Sequence, residues 1–294
     1  MRLVTYVREG EARSGVLTGD RVLDARELMG DEPGYGSVRA ILGGGPEGLE
    51  RLAAASRATA DGAGEPLASV VLRAPIEDPD KIICLGLNYH DHAEEAGMAP
   101  PAWPMLFAKY RNSLVGPTSE VVLPADSEAV DYEAELAVVI GRAAKGVAAE
   151  GALDYVAGVM AFNDVTARDL QHATSQWTAG KAIDTFAPCG PALVTLDEID
   201  DLQALAIRTR VNGEVVQDGS TAAMIFSVAT TIEFLSSLMT LAPGDIIATG
   251  TPAGVGFTRD PQVLLSAGDV VEVEVEGVGV LANPVVGARV ATYG

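Results

Sequence analysis

The chain has 294 residues, of which 48% are hydrophobic, so it is long enough to bury a large core. Its formal net charge is −21, which disfavours nucleic acids and anionic membranes as partners because both are negatively charged. No apolar run approaches the roughly 20 residues of a membrane span, and the first residues lack the pattern of a secretory signal, so we expect a cytoplasmic protein. Two cysteines and three histidines argue against a disulfide framework and a histidine-rich zinc site.

The first 70 residues differ in character from the rest. We predict four pieces there, in chain order: a strand at 2–8, a hairpin at 15–24 that turns at Thr18-Gly19-Asp20, a helix at 47–60, and a linker at 61–66. None of these pieces carries a cluster of reactive side chains. We therefore interpret residues 1–70 as a small β-rich N-terminal domain.

The remaining residues, 71–294, are predicted to form a larger domain. Its expected strands are 81–86, 121–123, 131–140, 190–196, 246–249 and 270–276, and its expected helices lie near 88–96, 164–176 and 221–240. In the strand at 270–276, valines alternate with glutamates, which is typical of a strand with one solvated face. Strands and helices do not alternate as βαβ units, so the sequence predicts an α+β fold.

Two glutamates in one predicted strand are the most informative pair in the chain. Glu133 and Glu135 are two residues apart, so on a strand their side chains share one face. Neighbouring buried carboxylates repel each other, and a hard divalent cation bound by oxygen ligands is the simplest way to hold both. An edge strand with a solvated acidic face fits this segment alone equally well.

His92 and Glu95 are three residues apart on a predicted helix, so they lie on the same side. A carboxylate that holds an imidazole orients the ring and makes it more basic, which suits a general base that activates water. A merely polar, exposed helix face is the competing interpretation.

Two further polar segments follow along the chain. Asp164 follows an apolar run, where it can act as a third metal ligand or cap a helix that includes Gln171. Lys181 follows a glycine; near a metal it would stabilise a developing oxyanion and supply the positive charge that an anionic substrate needs. A lysine in a surface turn is the alternative.

A glycine-rich segment at 249–256 follows a predicted strand. Its backbone N–H groups can bind anions, and because it lacks the signature of a nucleotide loop we interpret it as a cradle for a carboxylate. Gly250 and Thr251 are its candidate binding residues. The alternative is a tight turn that simply requires glycine.

The order of these motifs resembles the fumarylacetoacetate hydrolase superfamily over roughly residues 70–290. Five ordered segments carry the resemblance: Asn88-Tyr-x-x-His92-x-x-Glu95, Tyr132-Glu133-x-Glu135-Leu136, Asn163-Asp164-Val-Thr-Ala-Arg168-Asp169, Gly180-Lys181-x-x-Asp184-Thr-Phe and Thr249-Gly-Thr251-Pro252-x-Gly. The resemblance implies a catalytic domain built as a mixed β-roll, a variable N-terminal domain and a homodimer.

The resemblance also implies roles for individual residues. The family's metal triad falls on Glu133, Glu135 and Asp164, and the usual ion is Mg²⁺ or Mn²⁺, with Ca²⁺ as a further candidate. The catalytic positions fall on His92, Glu95 and Lys181, and the substrate contacts on Gln171, Thr251 and Arg168. A small 2-oxo acid is the implied substrate.

Two activities follow from this resemblance. The first is hydrolysis of a C–C bond in an acylpyruvate-type β-diketo acid to give pyruvate and a carboxylic acid; the second is decarboxylation or isomerisation of an oxaloacetate-like acid at the same metal site. Some members that cleave acylpyruvates carry arginine where this chain has Leu87, so their narrow specificity does not transfer. Basic residues in the segment 107–117 are expected either to contact a second substrate carboxylate or to be solvated. A metal-stabilised binding protein without activity is disfavoured because every key position is occupied.

Overall fold

The computed structural model describes residues 1–288, so the last six residues of the predicted larger domain lie outside the described part of the chain. The strands are β1 Arg2–Arg8, β2 Glu11–Thr18, β3 Arg21–Asp24, β4 Glu65–Pro66, β5 Val71–Leu72, β6 Ile82–Gly86, β7 Met105–Lys109, β8 Leu114–Val115, β9 Val121–Val122, β10 Val130–Asp131, β11 Ala134–Ile140, β12 Val156–Asn163, β13 Thr166–Ala167, β14 Ala187–Thr195, β15 Ala206–Val211, β16 Glu214–Ser220, β17 Ile246–Ala248, β18 Val270–Val275 and β19 Gly279–Val286. The α-helices are α1 Ala25–Leu28, α2 Val38–Gly43, α3 Gly45–Ala58, α4 His90–Glu95, α5 Arg168–His172, α6 Thr178–Lys181 and α7 Val228–Leu238. Among residues 1–288, no helix combines the length and the apolar character that a membrane crossing requires.

One large sheet organises the chain. Its strand order is β4-β3-β2-β1-β14-β12-β11-β17-β6-β7, with β5 paired to β1 and β8 paired to β14. Most neighbours are antiparallel, while β17 runs parallel to β6 and β8 runs parallel to β14. A second sheet has the order β16-β15-β18-β19-β9, and β10 pairs with β13. This arrangement is the predicted α+β fold.

The N-terminal region continues the large sheet. Strand β1 pairs with β14, with Arg2 opposite Val194, and Leu3 lies in the same buried cluster as core residues of the later strands. The hairpin predicted at 15–24 is present as β2 and β3, which turn through Gly19 and Asp20. The boundary near residue 70 stays a prediction, and the hydrogen-bonded sheet crosses it.

The main core lies between the two sheets and α7. Val138 and Val159 of the large sheet, Val273 of the second sheet, and Ile232 and Leu235 of α7 belong to one buried cluster. Every residue of β11 is buried, because this strand has sheet neighbours on both sides and packed layers on both faces. Strand β18 shows the predicted alternation, with Val271, Val273 and Val275 buried.

Three predicted elements are shorter than expected. The strand predicted at 131–140 is interrupted at Tyr132 and Glu133, because the chain changes partner from β13 to β12 there. The helix expected near 164–176 contains only α5, since Thr166 and Ala167 pair with β10 instead. The helix expected at 221–240 begins only at Val228, capped by the Ser227 side chain.

Candidate active site

The three predicted metal ligands meet at one buried point. Strands β11 and β12 pair with Ala134 opposite Asn163, so Asp164 emerges beside the segment that carries Glu133 and Glu135. The Asp164 N–H donates to the Glu133 carbonyl at 2.9 Å, which fixes this junction. Each of the three carboxylates offers one oxygen, and these oxygens lie within 4.8 Å of one another. Asp164 is therefore not a helix cap, and the interpretation of Glu133 and Glu135 as a solvated acidic face is wrong.

Three buried cations surround this cluster. Lys181 Nζ lies 2.9 Å from Glu133 Oε2 and 2.8 Å from Asp164 Oδ2. Arg168 Nη1 lies 2.7 Å from Glu133 Oε1, and Lys109 Nζ lies 2.7 Å from Asp164 Oδ1. Burial opposes ionisation of Glu133, but Lys181 and Arg168 lower its pKa to about 2, so it is a carboxylate at neutral pH.

Lys109 lies deeper than the sequence suggests. The segment 107–117 was expected to place its basic residues against a substrate or in solvent, yet Lys109 is fully buried. Its Nζ donates to the carbonyl oxygens of Val165 and Phe186 at 2.9 and 2.7 Å. For Lys109 the expectation is wrong, because these carbonyls and Asp164 fill its surroundings.

Glu135 differs from Glu133 and Asp164 because no basic side chain of residues 1–288 forms an ion pair with it. Its Oε2 accepts one hydrogen bond, from the Gly250 N–H at 3.0 Å, and its buried Oε1 has no hydrogen-bond partner within residues 1–288. Burial, together with repulsion from Asp164 and Glu133, raises the pKa of Glu135 well above its usual range. A buried acceptor left open beside two carboxylates fits a hard divalent cation, and the paired carboxylates still have free lone pairs for it.

His92 and Glu95 form the predicted pair on α4. His92 Nδ1 lies 3.3 Å from Glu95 Oε2, and Glu95 Oε1 accepts from the Gly254 N–H at 3.0 Å. Although burial raises it, hydrogen bonds from His92 and Gly254 lower the pKa of Glu95 overall, so this carboxylate is ionised. With Nδ1–H donating to Glu95, the imidazole keeps a free lone pair on Nε2. His92 is buried, so the exposed-face interpretation does not apply to it.

The glycine-rich loop does bind carboxylates, but they belong to the protein. Gly250 N–H donates to Glu135 and Gly254 N–H to Glu95, as described above. Gly256 N–H donates to Asp131 Oδ1 at 2.8 Å. The expected substrate contact of the Gly250 N–H is therefore corrected, because this N–H already holds Glu135.

A cavity of about 90 Å³ opens over the cluster. Its polar lining residues are His92, Glu133, Arg168, Gln171, His172, Lys181 and Thr251, and its apolar ones include Leu85, Leu87, Met98, Phe107, Trp177 and Phe257. Six predicted site residues thus share one cavity. The other four, Glu95, Glu135, Asp164 and Gly250, do not line it, and Lys181 is buried instead of lying in a surface turn.

The Arg168 guanidinium is fixed by contacts with Asp131, Gln171 and Phe257. Its Nε and Nη2 lie 2.9 and 2.8 Å from Asp131 Oδ2, and its Nη1 also donates to Gln171 Oε1 at 3.1 Å. The guanidinium also lies over the Phe257 ring, 4.3 Å from its centroid. Arg168 therefore orients Glu133 and Gln171, in addition to lining the cavity.

Sequence reasoning missed three residues around the site, Asp131, His172 and Gln217, and it assigned Lys109 to a substrate contact or to solvent. Asp131 precedes the acidic pair by two residues, and the strand period that links Glu133 and Glu135 also pointed to it. His172 is adjacent to Gln171 and lines the cavity. The sequence offered no local signal for Gln217.

Comparison with known proteins agrees with this geometry. A family model described as fumarylacetoacetate (FAA) hydrolase C-terminal matches residues 81–286. The chain belongs to the fumarylacetoacetate hydrolase family. It is 48% identical over 223 residues to the human mitochondrial oxaloacetate tautomerase FAHD2A, a match that covers 75% of this chain and 71% of that protein.

Two solved structures of the family share the fold over almost the whole chain. A fumarylacetoacetate hydrolase from Exiguobacterium antarcticum superposes with a TM-score of 0.83 at 38% identity, covering 98% of this chain and 100% of that one. A maleylpyruvate hydrolase from Sphingobium sp. SYK-6, in complex with manganese(II) and pyruvate, gives a TM-score of 0.81 at 33% identity with the same coverage. The predicted family and fold are thereby confirmed.

Proposed function

We propose that this enzyme uses a divalent cation to interconvert the enol and keto forms of a small oxaloacetate-like 2-oxo acid. One observation carries the proposal: a carboxylate-oriented imidazole, His92, and an ammonium group, Lys181, line the same cavity above three clustered carboxylates. The 48% identity to an oxaloacetate tautomerase supports this activity over the hydrolysis that the sequence alone placed first. The apolar Leu87 on the cavity wall supports it as well, because the acylpyruvate-cleaving pattern has arginine at that position.

Glu133, Glu135 and Asp164 would hold the cation, for which Mg²⁺ or Mn²⁺ is our proposal and Ca²⁺ a further candidate. A structure of a relative contains manganese(II) together with pyruvate, which supports this choice. When bound, such a cation polarises the 2-oxo group and offsets the negative charge of the substrate.

The side chains supply the proton transfer. His92 Nε2 removes a proton from C3, and the electrons of that C–H bond form the C2–C3 double bond while the oxo oxygen becomes negative. Lys181 uses two of its N–H groups on Glu133 and Asp164, and the third stabilises this oxygen. Return of the proton from His92 to the oxygen gives the enol, and return to the carbon gives the keto acid. Gln171 and Thr251, at the cavity wall, bind the carboxylate.

Hydrolysis of an acylpyruvate is the second candidate. The same His92–Glu95 pair can take a proton from water, and the hydroxide formed would attack the distal carbonyl of a β-diketo acid. A relative named maleylpyruvate hydrolase favours this candidate. Decarboxylation of oxaloacetate would use the same stabilisation of an enolate without an attacking water.

A substrate panel separates these reactions. Enol-oxaloacetate, acetylpyruvate and fumarylpyruvate would each be incubated with Mg²⁺, Mn²⁺ or EDTA, while the ultraviolet absorbance of the enol and the release of pyruvate are followed. Metal-dependent loss of enol without pyruvate is expected. Pyruvate from a diketo acid would establish the hydrolase, and pyruvate from oxaloacetate would establish the decarboxylase. No turnover of any of them, with the metal shown to be bound, would overturn the proposal.

Assembly and location stay predictions. The homodimer is implied by the resemblance to the family and the cytoplasmic location is expected from the sequence, while the human relative is named mitochondrial. Analytical sedimentation of the purified enzyme would measure its oligomeric state.

A further inference from the structure

Gln217 is a buried amide that connects the loop after β17 to the strand that carries Glu135. It lies on β16, is 1% exposed and does not line the cavity. Its side chain makes four hydrogen bonds. Oε1 accepts from the Ala134 N–H at 2.9 Å and from Thr209 Oγ1 at 2.6 Å, and Nε2 donates to Thr251 Oγ1 at 2.8 Å and to the Pro252 carbonyl at 2.9 Å.

The backbone fixes which end of this amide is oxygen. The Ala134 N–H can only donate and the Pro252 carbonyl can only accept, so the amide oxygen must face Ala134 and the nitrogen must face Pro252. A flipped amide would place two donors and two acceptors against each other in a buried site. The nitrogen of Gln217 is therefore the donor to Thr251.

The hydrogen-bond direction at the Thr251 hydroxyl follows from the orientation of the Gln217 amide. A hydroxyl that accepts from an amide nitrogen must direct its own hydrogen elsewhere. Thr251 Oγ1 donates no hydrogen bond within residues 1–288, and Thr251 lines the cavity over the carboxylate cluster. Among residues 1–288 the hydroxyl hydrogen therefore has no acceptor, and it is available to one in the substrate space.

Local packing keeps the amide in this position. The register of β15 and β16 shifts after Thr209, so Val216 and Gln217 are consecutive buried residues instead of alternating. A Cβ on Gly254 would lie 2.4 Å from the Val216 carbonyl oxygen, and a Cβ on Gly219 would lie 2.5 Å from Pro252 Cβ. The loop therefore lies directly on β16, which keeps Thr251 and Pro252 within hydrogen-bond distance of the Gln217 amide.

We infer that Gln217 is a positioning residue that fixes Thr251 as a hydrogen-bond donor, so that the site selects a substrate oxygen that only accepts, such as that of a carboxylate. The inference rests on the proposed binding of a 2-oxo acid in this cavity. Because Ala134 separates Glu133 from Glu135, the same amide also keeps the donor in register with the carboxylate cluster.

The test uses pyruvate binding to the Mn²⁺-loaded enzyme, measured by calorimetry, so it does not depend on which reaction the enzyme catalyses. Gln217→Glu is close in shape but places an acceptor opposite Thr251, which would draw the hydroxyl hydrogen away from the cavity. We expect the Kd for pyruvate to rise by about tenfold or more, the scale of one hydrogen bond to a charged group.

A double-mutant cycle separates positioning from simple support of the fold. In a Thr251→Val background there is no hydroxyl to orient, so Gln217→Glu should leave the Kd for pyruvate unchanged. An equal rise of the Kd in both backgrounds would overturn the inference. Thr209→Val is the matched control, since it removes a buried hydrogen bond from the other end of the same amide; it should lower the melting temperature and leave the Kd for pyruvate at the wild-type value.

A second variant covers the case in which Gln217→Glu does not fold. Gln217→Met keeps a buried side chain of similar length and removes the donor, and the same cycle with Thr251→Val applies to it. Coupling between the two positions supports the inference and its absence overturns it. If wild-type enzyme loaded with Mn²⁺ binds no pyruvate at all, the proposed substrate class fails, and the inference fails with it. Coupling between Gln217 and Thr251 in an enzyme without enol turnover would support the inference and reject only the proposed tautomerase activity.

Discussion

Two buried carboxylates, Asp24 in the N-terminal region and Glu135 in the catalytic region, are satisfied in opposite ways. Four donors surround Asp24: the Tyr6 hydroxyl, the Arg13 guanidinium and the backbone N–H groups of Arg26 and Glu27. Glu135 has one donor, the Gly250 N–H, and an oxygen without a partner within residues 1–288. Both side chains are buried, so the difference lies in their partners and not in their exposure.

The pKa of each group reflects this difference. Burial opposes ionisation of Asp24, but the Glu27 N–H and the Tyr6 hydroxyl lower its pKa overall. At Glu135, burial and two neighbouring carboxylates raise the pKa instead. A carboxylate whose acceptors are all used stabilises the fold by itself, whereas a carboxylate left open needs a cation from outside the chain. The open oxygen thus distinguishes the candidate metal centre from structural acidic residues.

The largest effect is expected from Lys109→Met, which removes a fully buried cation from the metal region. Asp164 would lose the partner at 2.7 Å, and the Val165 and Phe186 carbonyls would lose their donor. Breaking a buried ion pair from one side costs about 3–5 kcal/mol. We expect the free energy of unfolding, measured by urea denaturation of the metal-free protein, to fall by that amount.

A second lysine on a buried aspartate provides the control for this prediction. Lys81 Nζ lies 2.8 Å from Asp245 Oδ2, but the Lys81 side chain is 30% exposed. Water can replace the cation there, so Lys81→Met should cost about 1 kcal/mol or less. Equal losses in the two variants would show that burial does not decide the contribution of Lys109.

The next largest effect is expected on metal binding, when the charge of Glu135 is removed. Glu135→Gln keeps the shape of the side chain and removes its charge, so we expect Mn²⁺ affinity and activity to fall by more than the roughly 10–100-fold that loss of an outer-shell partner causes. The metal-free variant should melt no lower than the wild type, because the repulsion from Asp164 and Glu133 is relieved. Calorimetric Mn²⁺ titration and thermal melting in EDTA measure the two quantities. Wild-type Mn²⁺ affinity in this variant would remove Glu135 from the proposed ligand set.

The sequence was informative where neighbouring residues along the chain determine the geometry. Strand alternation placed Glu133 and Glu135 together, and helical spacing placed His92 beside Glu95. Asp164 required the pairing of β11 with β12. The residues alone left it as either a third metal ligand or a helix cap, and the resemblance to the family favoured the ligand before the structure did.

The sequence was silent where a side chain is satisfied by distant segments. Lys109 ends an ordinary strand, and its role depends on carbonyls more than 50 residues away along the chain. Gln217 lies in a strand of mixed polarity, and only the shift of register beside it explains why it is buried. The Gly250 N–H was expected to bind a carboxylate of the substrate, and the sequence could not show that Glu135 occupies it.

A smaller effect on stability, with none on activity, is expected from a substitution at Asp24, the carboxylate surrounded by four donors. Asp24→Asn retains an oxygen for the N-terminus of α1 but loses the charge-assisted bonds to Tyr6 and Arg13. Hydrogen bonds to a charged group contribute about 1.5–3 kcal/mol, and we expect a loss in that range by urea denaturation. Enol turnover and Mn²⁺ affinity should match the wild type. A loss of metal binding would contradict the separation of the two regions.

The smallest effect is the pH dependence of that loss. The folded-state pKa of Asp24 is lowered, so its contribution is fully present above the unfolded value of about 3.9 and disappears as the pH falls through the folded value. The unfolded chain binds the proton first, which means that the stability of the wild type rises with pH across this window. The difference between wild type and Asp24→Asn should therefore be constant near neutral pH and shrink in acid. Denaturation curves of both proteins at several pH values measure the difference. A difference that persisted unchanged into strong acid would mean that the shape of the Asp24 side chain, and not its charge, holds the N-terminal region together.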